Sequence, residues 1–362
     1  MKRLISLDFF RGMTICLMII VNCPGSWSTV YPPLLHAEWH GVTPTDLVFP
    51  FFLFIVGVSI VLAYSKKKQS GSISGTVYTK ILRRSLIIFA LGLFLALFPS
   101  FDFANLRVVG VLQRIALVFA ICSVIYLHTG WKAQLWIGVG CLFGYYLLMC
   151  FVPYGDSAAG TLAPGDNLAA WIDQYITPGR MYQKTWDPEG FFSTIPAVGT
   201  GITGMLIGAI IIAKKLTNHV KIIWIFSFGL IWFATGYMWD YIFPANKHIW
   251  TSSYVLISSG LAAMFLALSM WIIDEQGYKS WTKLGVVFGS NAITAYVLHG
   301  VLLRLFQIPV SGDQGIQGLW MSGLQDISMS GQLASFLWAI SYMLFIYSII
   351  YVMYRKKIFL KV

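Results

Sequence analysis

Four side chains suited to proton transfer lie close together near the start of the 362-residue chain. They follow an apolar stretch that ends at Asn22, and they are His36, Glu38, His40 and Asp46. Histidine, with a pKa of about 6.5, is the side chain best suited to accept a proton near neutral pH, and a nearby carboxylate can orient its ring or stabilise its cation. The sequence therefore predicts that acid–base chemistry, if the protein performs any, centres on this segment.

The elements that must position these residues are membrane spans. Hydrophobic residues make up 57% of the chain, charged residues 11%, and the mean hydropathy is +0.73, which excludes a soluble globular domain of this length. Apolar runs recur that are long enough to cross about 30 Å of hydrocarbon as helices. They cover about residues 5–24, 46–64, 85–99, 109–127, 134–152, 191–213, 222–241, 251–273, 284–303 and 332–354. We therefore predict an all-α integral membrane protein, one domain over residues 1–362, built as a bundle of about ten transmembrane helices.

Basic residues are concentrated on one side of the predicted bundle. With an even number of spans both termini share a side, and 18 of the 25 Lys and Arg residues fall in the termini and the loops on that side. The positive-inside rule then places both termini in the cytoplasm. The longer outer loops cover about residues 25–45, 153–190 and 304–331. The net charge of +11 reflects this topology, so we expect no nucleic-acid partner.

A basic loop, SKKKQSGSISGTVYTKILRR, joins the second and third spans. Its cations are typical of a topology anchor that attracts anionic membrane lipid. The same charges could draw in a polyanionic cytosolic cofactor, and the loop alone does not decide between the two.

Polar residues interrupt the first span. At 100° per residue, Asp8, Arg11 and Asn22 fall within a sector of about 60°. Such a stripe cannot face lipid cheaply, so it should face the bundle interior or a wet cavity. Asp8 and Arg11 could pair to hold the foot of the helix, or they could contact a cofactor. Asn22 lies nearer His36 and is the better candidate for a role in the site.

A second polar pair, Gln113 and Arg114, enters the apolar run LRVVGVLQRIALVFA. An arginine within a span needs a partner. That partner could be Asp8, Asp46 or a ligand phosphate, which a guanidinium binds in bidentate fashion.

The longest outer loop ends in Trp186-Asp187-Pro188-Glu189-Gly190. An aspartate before proline and glutamate is a helix-start pattern, and capping alone could account for it. Trp186 could instead stack on a sugar, with Glu189 beside it. In the ninth span His299 lies on one helical strip with Asn291, and it is either a structural histidine or a substrate contact.

The motifs of several other enzyme classes do not occur in the sequence. There is no GxxxxGK[ST], CxxC or HExxH pattern, so nucleotide hydrolysis and zinc hydrolysis lack support and we expect no metal.

Six blocks along the chain resemble, in order, the heparan-α-glucosaminide N-acetyltransferase family and its bacterial relatives. The blocks are RLISLDFFRGMTICLMIIVN, HAEWHGVTPTDLVFPFFLFIVGVSI, RVVGVLQRIALVFA, DPEGFFSTIPAVGTG, FPANKHIWTSSY and GSNAITAYVLH. The resemblance implies transfer of an acetyl group from cytosolic acetyl-CoA to an amino sugar on the other side of the membrane. It also implies a location in the bacterial cytoplasmic (inner) membrane, with the periplasm as the outer side.

The resemblance also implies roles for individual residues. The family's catalytic histidine falls in its HAxW block, which is His36 here, and its supporting residues correspond to Asn22, Asp46 and Arg114. This chain has His40 where the lysosomal enzyme has asparagine, which makes a second histidine available. We expect Asn22 to stabilise the oxyanion. Further cofactor contacts are expected from Gln113, Asp8 and Arg11, and acceptor contacts from His40, Glu38, Trp186, Glu189 and His299.

Two other functions use the same parts. An O-acyltransferase of an outer glycan would act on a hydroxyl, and a proton-coupled transporter of a small solute would also place Asp, Arg and His in the bundle. Direct transfer and an acetyl-histidine intermediate both remain open. The sequence does not identify the acceptor, and it is compatible with a homodimer.

Overall fold

The computed structural model describes residues 4–71 and 73–360, and nearly all of its regular structure is helical. The α-helices are α1 (Ile5–Asn22), α2 (Val48–Gln69), α3 (Gly75–Leu97), α4 (Val111–His128), α5 (Trp131–Phe151), α6 (Leu168–Ile176), α7 (Thr194–Ile212), α8 (Asn218–Asp240), α9 (Ser252–Ser269), α10 (Lys283–Ser290), α11 (Ala292–Phe306), α12 (Ile316–Asp326) and α13 (Gly331–Arg355). A π-helical turn, Met270–Glu275, continues α9, and 3₁₀ turns lie at Pro32–Leu34, Pro44–Leu47 and Ser280–Thr282. Strands β1 (Leu162–Ala163) and β2 (Asp166–Asn167) form an antiparallel hairpin in the loop after α5.

The helices confirm an all-α polytopic membrane bundle. Within the described residues, eight helices are long and apolar enough to span a membrane: α1, α2 with the turn before it, α4, α5, α7, α8, α9 with its π turn, and α13. The pair α10 and α11, bent by 74°, makes a ninth if it is one span.

The tenth expected span, about residues 85–99, lies within α3. This helix has 23 residues, but its first half carries Lys80, Arg83 and Arg84, which a simple hydrocarbon span would not tolerate. The number of spans supported by length and composition is therefore eight or nine.

Contacts between loops show which loops lie at the same end of the bundle. At one end the segment after α1 meets the loops after α5 and α8: Trp39 Nε1 donates to Leu162 O at 2.8 Å and Gly41 N donates to Ala245 O at 2.7 Å. The other end joins different connections, since Tyr78 in α3 bonds His128 at the end of α4 over 2.9 Å. Loops therefore alternate between the ends, as a series of spans requires. The orientation of the termini remains a prediction.

Close backbone packing of α2 on α7 depends on glycine. A Cβ at Gly204 would lie 2.0 Å from Phe54 O, and one at Gly57 would lie 2.0 Å from Gly201 O. Residues 199–204, GTGITG, have the GxGxxG spacing of dinucleotide-binding loops, but they lie inside a helix with no strand before it. These glycines therefore serve helix packing.

Helix α1 packs equally closely on α10. A Cβ at Gly12 would lie 1.7 Å from Gly285 O, and one at Gly289 would lie 1.9 Å from Asp8 O. This contact brings Arg11 against the bend between α10 and α11, where Arg11 Nη1 donates to Gly289 O at 3.4 Å. The polar stripe of α1 thus faces the bundle interior, as predicted.

Candidate functional site

His36 and Asp46 form a hydrogen-bonded pair at the loop end of α2. Nδ1 of His36 lies 2.6 Å from Oδ1 of Asp46, which is fully buried. Since the carboxylate oxygen accepts, Nδ1 carries the hydrogen and Nε2 is left as the basic nitrogen. The ring is one-third exposed and lines a cavity.

The local sequence explains why Asp46 is held so firmly. Thr43 precedes the 3₁₀ turn Pro44–Leu47, and its backbone N and Oγ1 donate to Asp46 Oδ2 at 3.0 and 2.9 Å. The backbone N of Ala37 donates to the same oxygen at 3.1 Å. From α9, the Tyr254 hydroxyl donates to the backbone carbonyl of Asp46 at 2.5 Å. The aspartate therefore fixes both the histidine ring and the loop that carries it.

Lys247 completes this group, and sequence reasoning missed its role. Its Nζ lies 3.0 Å from Nδ1 and 3.1 Å from Nε2 of His36, and 3.7 Å from Oδ1 of Asp46. Burial lowers the pKa of Lys247, and the carboxylates of Asp46 and Glu189 oppose this shift. The signal in the sequence is its place in the FPANKHIWTSSY block, next to His248. By sequence alone, Lys247 is only one of the basic residues in the outer loops.

The turn that carries Lys247 is held by its neighbour Asn246. Oδ1 of this buried amide accepts from the backbone N of His248 at 2.7 Å and of Ile249 at 3.1 Å. The backbone N of Asn246 donates to Thr251 Oγ1 at 2.8 Å. Lys247 is thus presented by a fixed turn between α8 and α9.

Two polar side chains line the cavity near His36 and could stabilise an oxyanion. Asn22 ends α1 and lines the cavity, as expected. Thr45, which the sequence did not single out, also lines it, and its Oγ1 is buried without a hydrogen-bond partner among the described residues. A buried hydroxyl in that state is costly unless a ligand completes it.

An aromatic wall of Trp39, Trp186 and His248 lies beside the loop end of the cavity. His248 lines the cavity, whereas Trp39 and the expected sugar contact Trp186 do not. The rings of Trp39 and His248 stack with centroids 5.2 Å apart and an interplanar angle of 4°. Trp186 packs edge-on against both, at 5.1 and 5.2 Å. Burial lowers the pKa of His248, and the charge of Lys247 lowers it further, so its ring is kept neutral.

The other expected acceptor contacts fall in three different settings. His40 is exposed, bonds Asn246 weakly at 3.4 Å and is absent from the cavity wall, as is the exposed Glu38. Glu189 lines the cavity and is paired with Arg107. His299 is buried against Tyr342, whose hydroxyl donates to its backbone carbonyl at 2.7 Å, and does not reach the cavity.

The segment 187–190 does not start a helix, so that prediction was wrong. Asp187 accepts from the backbone N of Glu189 at 2.9 Å and of Tyr182 at 2.7 Å, which makes a turn, and α7 begins only at Thr194. Arg107 donates to both carboxylate oxygens of Asp187, at 2.7 and 2.6 Å. This ion pair fixes the loop over the cavity.

Arg114 anchors the same loop from within the bundle. It is 1% exposed, and its guanidinium donates to Pro188 O at 2.9 Å, Gly190 O at 2.7 Å and Ser193 Oγ at 2.5 Å. Its partner is thus neither Asp8 nor Asp46. Arg114 does not line the cavity, and Gln113 packs its amide against Gly92. The structure therefore gives both residues contacts within the protein.

One cavity of about 670 Å³ runs from the His36 site deep into the bundle. Along α2 its wall extends from Val48 to Ala63, which is about 22 Å of helix axis. Its middle is apolar. Its far end holds Arg84 of α3, the bend at Ser290 and Asn291, and Arg11, which pairs with Asp8 at 3.3 Å and donates to Ser59 Oγ at 2.8 Å.

The chain is similar in sequence to known proteins. The profile of the family described as heparan-alpha-glucosaminide N-acetyltransferase, catalytic, matches residues 3–237. The human protein named heparan-alpha-glucosaminide N-acetyltransferase is 27% identical over 421 residues, which cover 99% of this chain and 60% of that protein. The mouse protein of the same name is 26% identical over 423 residues, covering 100% and 61%. The chain thus spans about three fifths of the length of these relatives. With the catalytic profile matched over more than half of its length, the chain belongs to the heparan-α-glucosaminide N-acetyltransferase family.

Proposed function

We propose that this protein transfers an acetyl group from cytosolic acetyl-CoA to the amino group of a sugar on the opposite side of the membrane. The observation that carries the proposal is the cavity itself, which joins the His36 site at one end of the bundle to a cationic region near the other. Its wall covers about 22 Å of the roughly 30 Å of hydrocarbon that a span must cross. A donor and an acceptor could therefore meet without either one crossing the membrane.

The chemistry of the cavity wall fits acetyl-CoA. At the far end Arg84 and Arg11 supply cations for phosphates, and Lys80 and Arg83 add positive charge on the same helix. The backbone N–H groups that open α11 at the bend are further donors for an anion. The middle of the cavity is lined by Phe52, Ile55, Ile60, Ile115 and Phe119, which suits the slender, mostly apolar pantetheine arm. Bound acetyl-CoA would supply a thioester, an activated acyl group.

At the reacting end this chain's own residues would provide the acid–base chemistry. Nε2 of His36 would take a proton from the acceptor amine as its nitrogen attacks the thioester carbonyl, and Asp46, bonded to Nδ1 at 2.6 Å, would stabilise the resulting cation. The carbon–sulfur bond would then break, and the departing CoA thiolate would take the proton from the imidazolium, which leaves an amide, the CoA thiol and neutral His36. Asn22 and the unpartnered hydroxyl of Thr45 would donate to the developing oxyanion, a contribution of about 3 kcal/mol for one good donor. We favour direct transfer over an acetyl-histidine.

The acceptor would bind next to the aromatic wall, at His248, which is the ring of that wall that lines the cavity. An aromatic ring beside polar side chains, here Glu189 and His36, suits the face and the polar edge of a sugar. A sugar is therefore the acceptor that this end of the cavity suits best, and its amino group would be the nucleophile.

Oriented vesicles would test the proposal. Labelled acetyl-CoA is supplied to one face and glucosamine to the other, and label should reach the sugar only when acetyl-CoA is on the face that bears the termini. Equal acetylation with both substrates on that one face would refute transfer across the membrane. Labelling of a neutral sugar in preference to glucosamine would support O-acylation, and uptake of glucosamine without acetyl-CoA would support transport.

A further inference from the structure

We infer that Lys247 is a positioning residue for His36, and that its ammonium group keeps the histidine unprotonated and therefore able to act as a base. The inference rests on the proposed role of His36 and extends it to a residue that neither the motifs nor the comparisons assign. The evidence is the geometry of three side chains from three separate segments: His36 from the loop after α1, Asp46 from the turn before α2, and Lys247 from the turn between α8 and α9.

The contact with Asp46 favours the protonated form of His36. A buried carboxylate 2.6 Å from the ring favours the imidazolium form, because opposite charges in close contact stabilise each other. An imidazolium has no lone pair with which to accept a proton from the substrate. A cation beside the ring would oppose this effect of Asp46 and favour the neutral form that a base requires.

Lys247 supplies that influence. Its Nζ lies 3.0 and 3.1 Å from the two ring nitrogens, so a charged ammonium there opposes a second positive charge on the ring. Its side chain is 15% exposed, which limits screening by water. With Nδ1–H donating to Asp46, the ammonium can donate to the lone pair of Nε2, the form that a base must have. The incoming amine would then have to displace the ammonium group from Nε2.

The other ionisable groups around the site do not offset the opposing effects of Asp46 and Lys247 on His36. They are Glu189 and Arg107, which are paired with each other, His248, which is kept neutral, and Tyr254, which bonds the backbone of Asp46. Arg107 is also paired with Asp187. Among these groups Lys247 is the cation in direct contact with the ring.

Carbethoxylation provides a test that needs no acetyl-CoA. Diethyl pyrocarbonate reacts with neutral imidazole, so the rate of modification of His36 against pH, mapped by mass spectrometry, gives the midpoint of its titration. In Lys247→Met and Lys247→Gln the midpoint should rise by about one pH unit or more, since the opposing charge is gone. In Lys247→Arg it should stay near that of the parent. The exposed His40 in the same protein is the internal control and should not shift.

Activity gives the second arm. The acid limb of the pH profile of acetyl transfer should move upward by a similar amount in Lys247→Met, with much of the activity regained at higher pH, whereas a purely structural defect would lower activity at every pH. An unchanged His36 midpoint in the neutral variants, or an equal shift in Lys247→Arg, would overturn the inference. So would loss of the folded protein in both neutral variants, which would assign Lys247 to the fold. If the parent protein showed no acetyl transfer, the proposed function would be refuted. The carbethoxylation result would still test the effect of Lys247 on His36.

Discussion

His36 and His40 are four residues apart in one loop, yet their surroundings differ completely. His36 lines the cavity and is bonded to a buried aspartate, whereas His40 is exposed and its bond to Asn246 is 3.4 Å long. Burial lowers the pKa of His40, and Asp240 opposes that shift. A base must reach the proton that it abstracts, which favours His36 on geometry before any question of charge.

His36→Ala should therefore reduce acetyl transfer by about 10²-fold or more, because the proton acceptor is lost. Binding of acetyl-CoA should be largely retained, since the cationic end of the cavity lies far from His36. His40→Ala serves as the matched control and should have a milder effect. If His40→Ala were the more damaging change in a transfer assay with glucosamine, His40 would be the base.

A phosphate-binding role, which the sequence left open for Arg114, fits another arginine better. Arg84 lines the cavity and lies over the Phe119 ring, with its guanidinium carbon 4.8 Å from the centroid. Arg83 is the next residue on the same helix, but it does not line the cavity. Substituting each arginine in turn therefore distinguishes a direct contact with the ligand from the general effect of positive charge on the helix.

Arg84→Gln should weaken acetyl-CoA binding by about tenfold, the usual effect of losing one hydrogen bond to a charged group at a partly exposed site. Arg83→Gln should change it much less. Isothermal titration or microscale thermophoresis of purified protein would measure both. Similar losses in the two variants would indicate that only the overall charge of the helix matters.

Sequence could predict part of this site and not the rest, for physical reasons. Asn22, His36 and Asp46 are close in the chain, so a loop between two spans was bound to bring them near one another. Lys247 is about 200 positions away, and only the packing of α9 against α2 places it on the histidine. For Arg114 the sequence correctly required a partner, but backbone carbonyls and a hydroxyl can satisfy a guanidinium as well as a phosphate can.

Among the elements, the apolar runs were predicted well and their irregularities were not. The run at about 284–303 was expected to be one span, and the structure bends it by 74° between α10 and α11. Hydropathy does not reveal such a break, because both halves stay apolar. The Gly-Ser-Asn sequence at 289–291 is the signal that could have indicated it.

The glycine seam between α2 and α7 gives a prediction at the scale of elements. Gly204→Ala should destabilise the protein by about 1–3 kcal/mol, because its Cβ would lie 2.0 Å from Phe54 O and the two helices would have to separate. Gly140→Ala in α5 is the matched control, since a Cβ there would meet nothing within 4 Å, and it should be neutral or slightly stabilising. Thermal unfolding in detergent measures both. Equal melting temperatures for Gly204→Ala and the parent would show that the seam tolerates a methyl group.

For the whole molecule, the cavity and the distribution of charge support the same orientation in the membrane. The cationic part of the cavity lies toward the end that bears the basic loops, and the aromatic wall lies toward the other. Helix α3 carries Arg84 into the cavity, at the position just before the shortest of the ten predicted runs begins. Transfer outward from a cytosolic donor then requires that the basic end face the cytoplasm.

Labelling of single cysteines would test that orientation. Ala158 lies exposed in the loop after α5 and Lys356 lies exposed just after α13, at opposite ends of the bundle. The positive-inside rule predicts that an impermeant maleimide labels Ala158→Cys in intact spheroplasts and labels Lys356→Cys only after lysis. The parent is the control, because its five cysteines are buried or half-buried and should label weakly. The opposite pattern would place His36 and the aromatic wall in the cytoplasm, and acetyl transfer could then not run outward through this cavity.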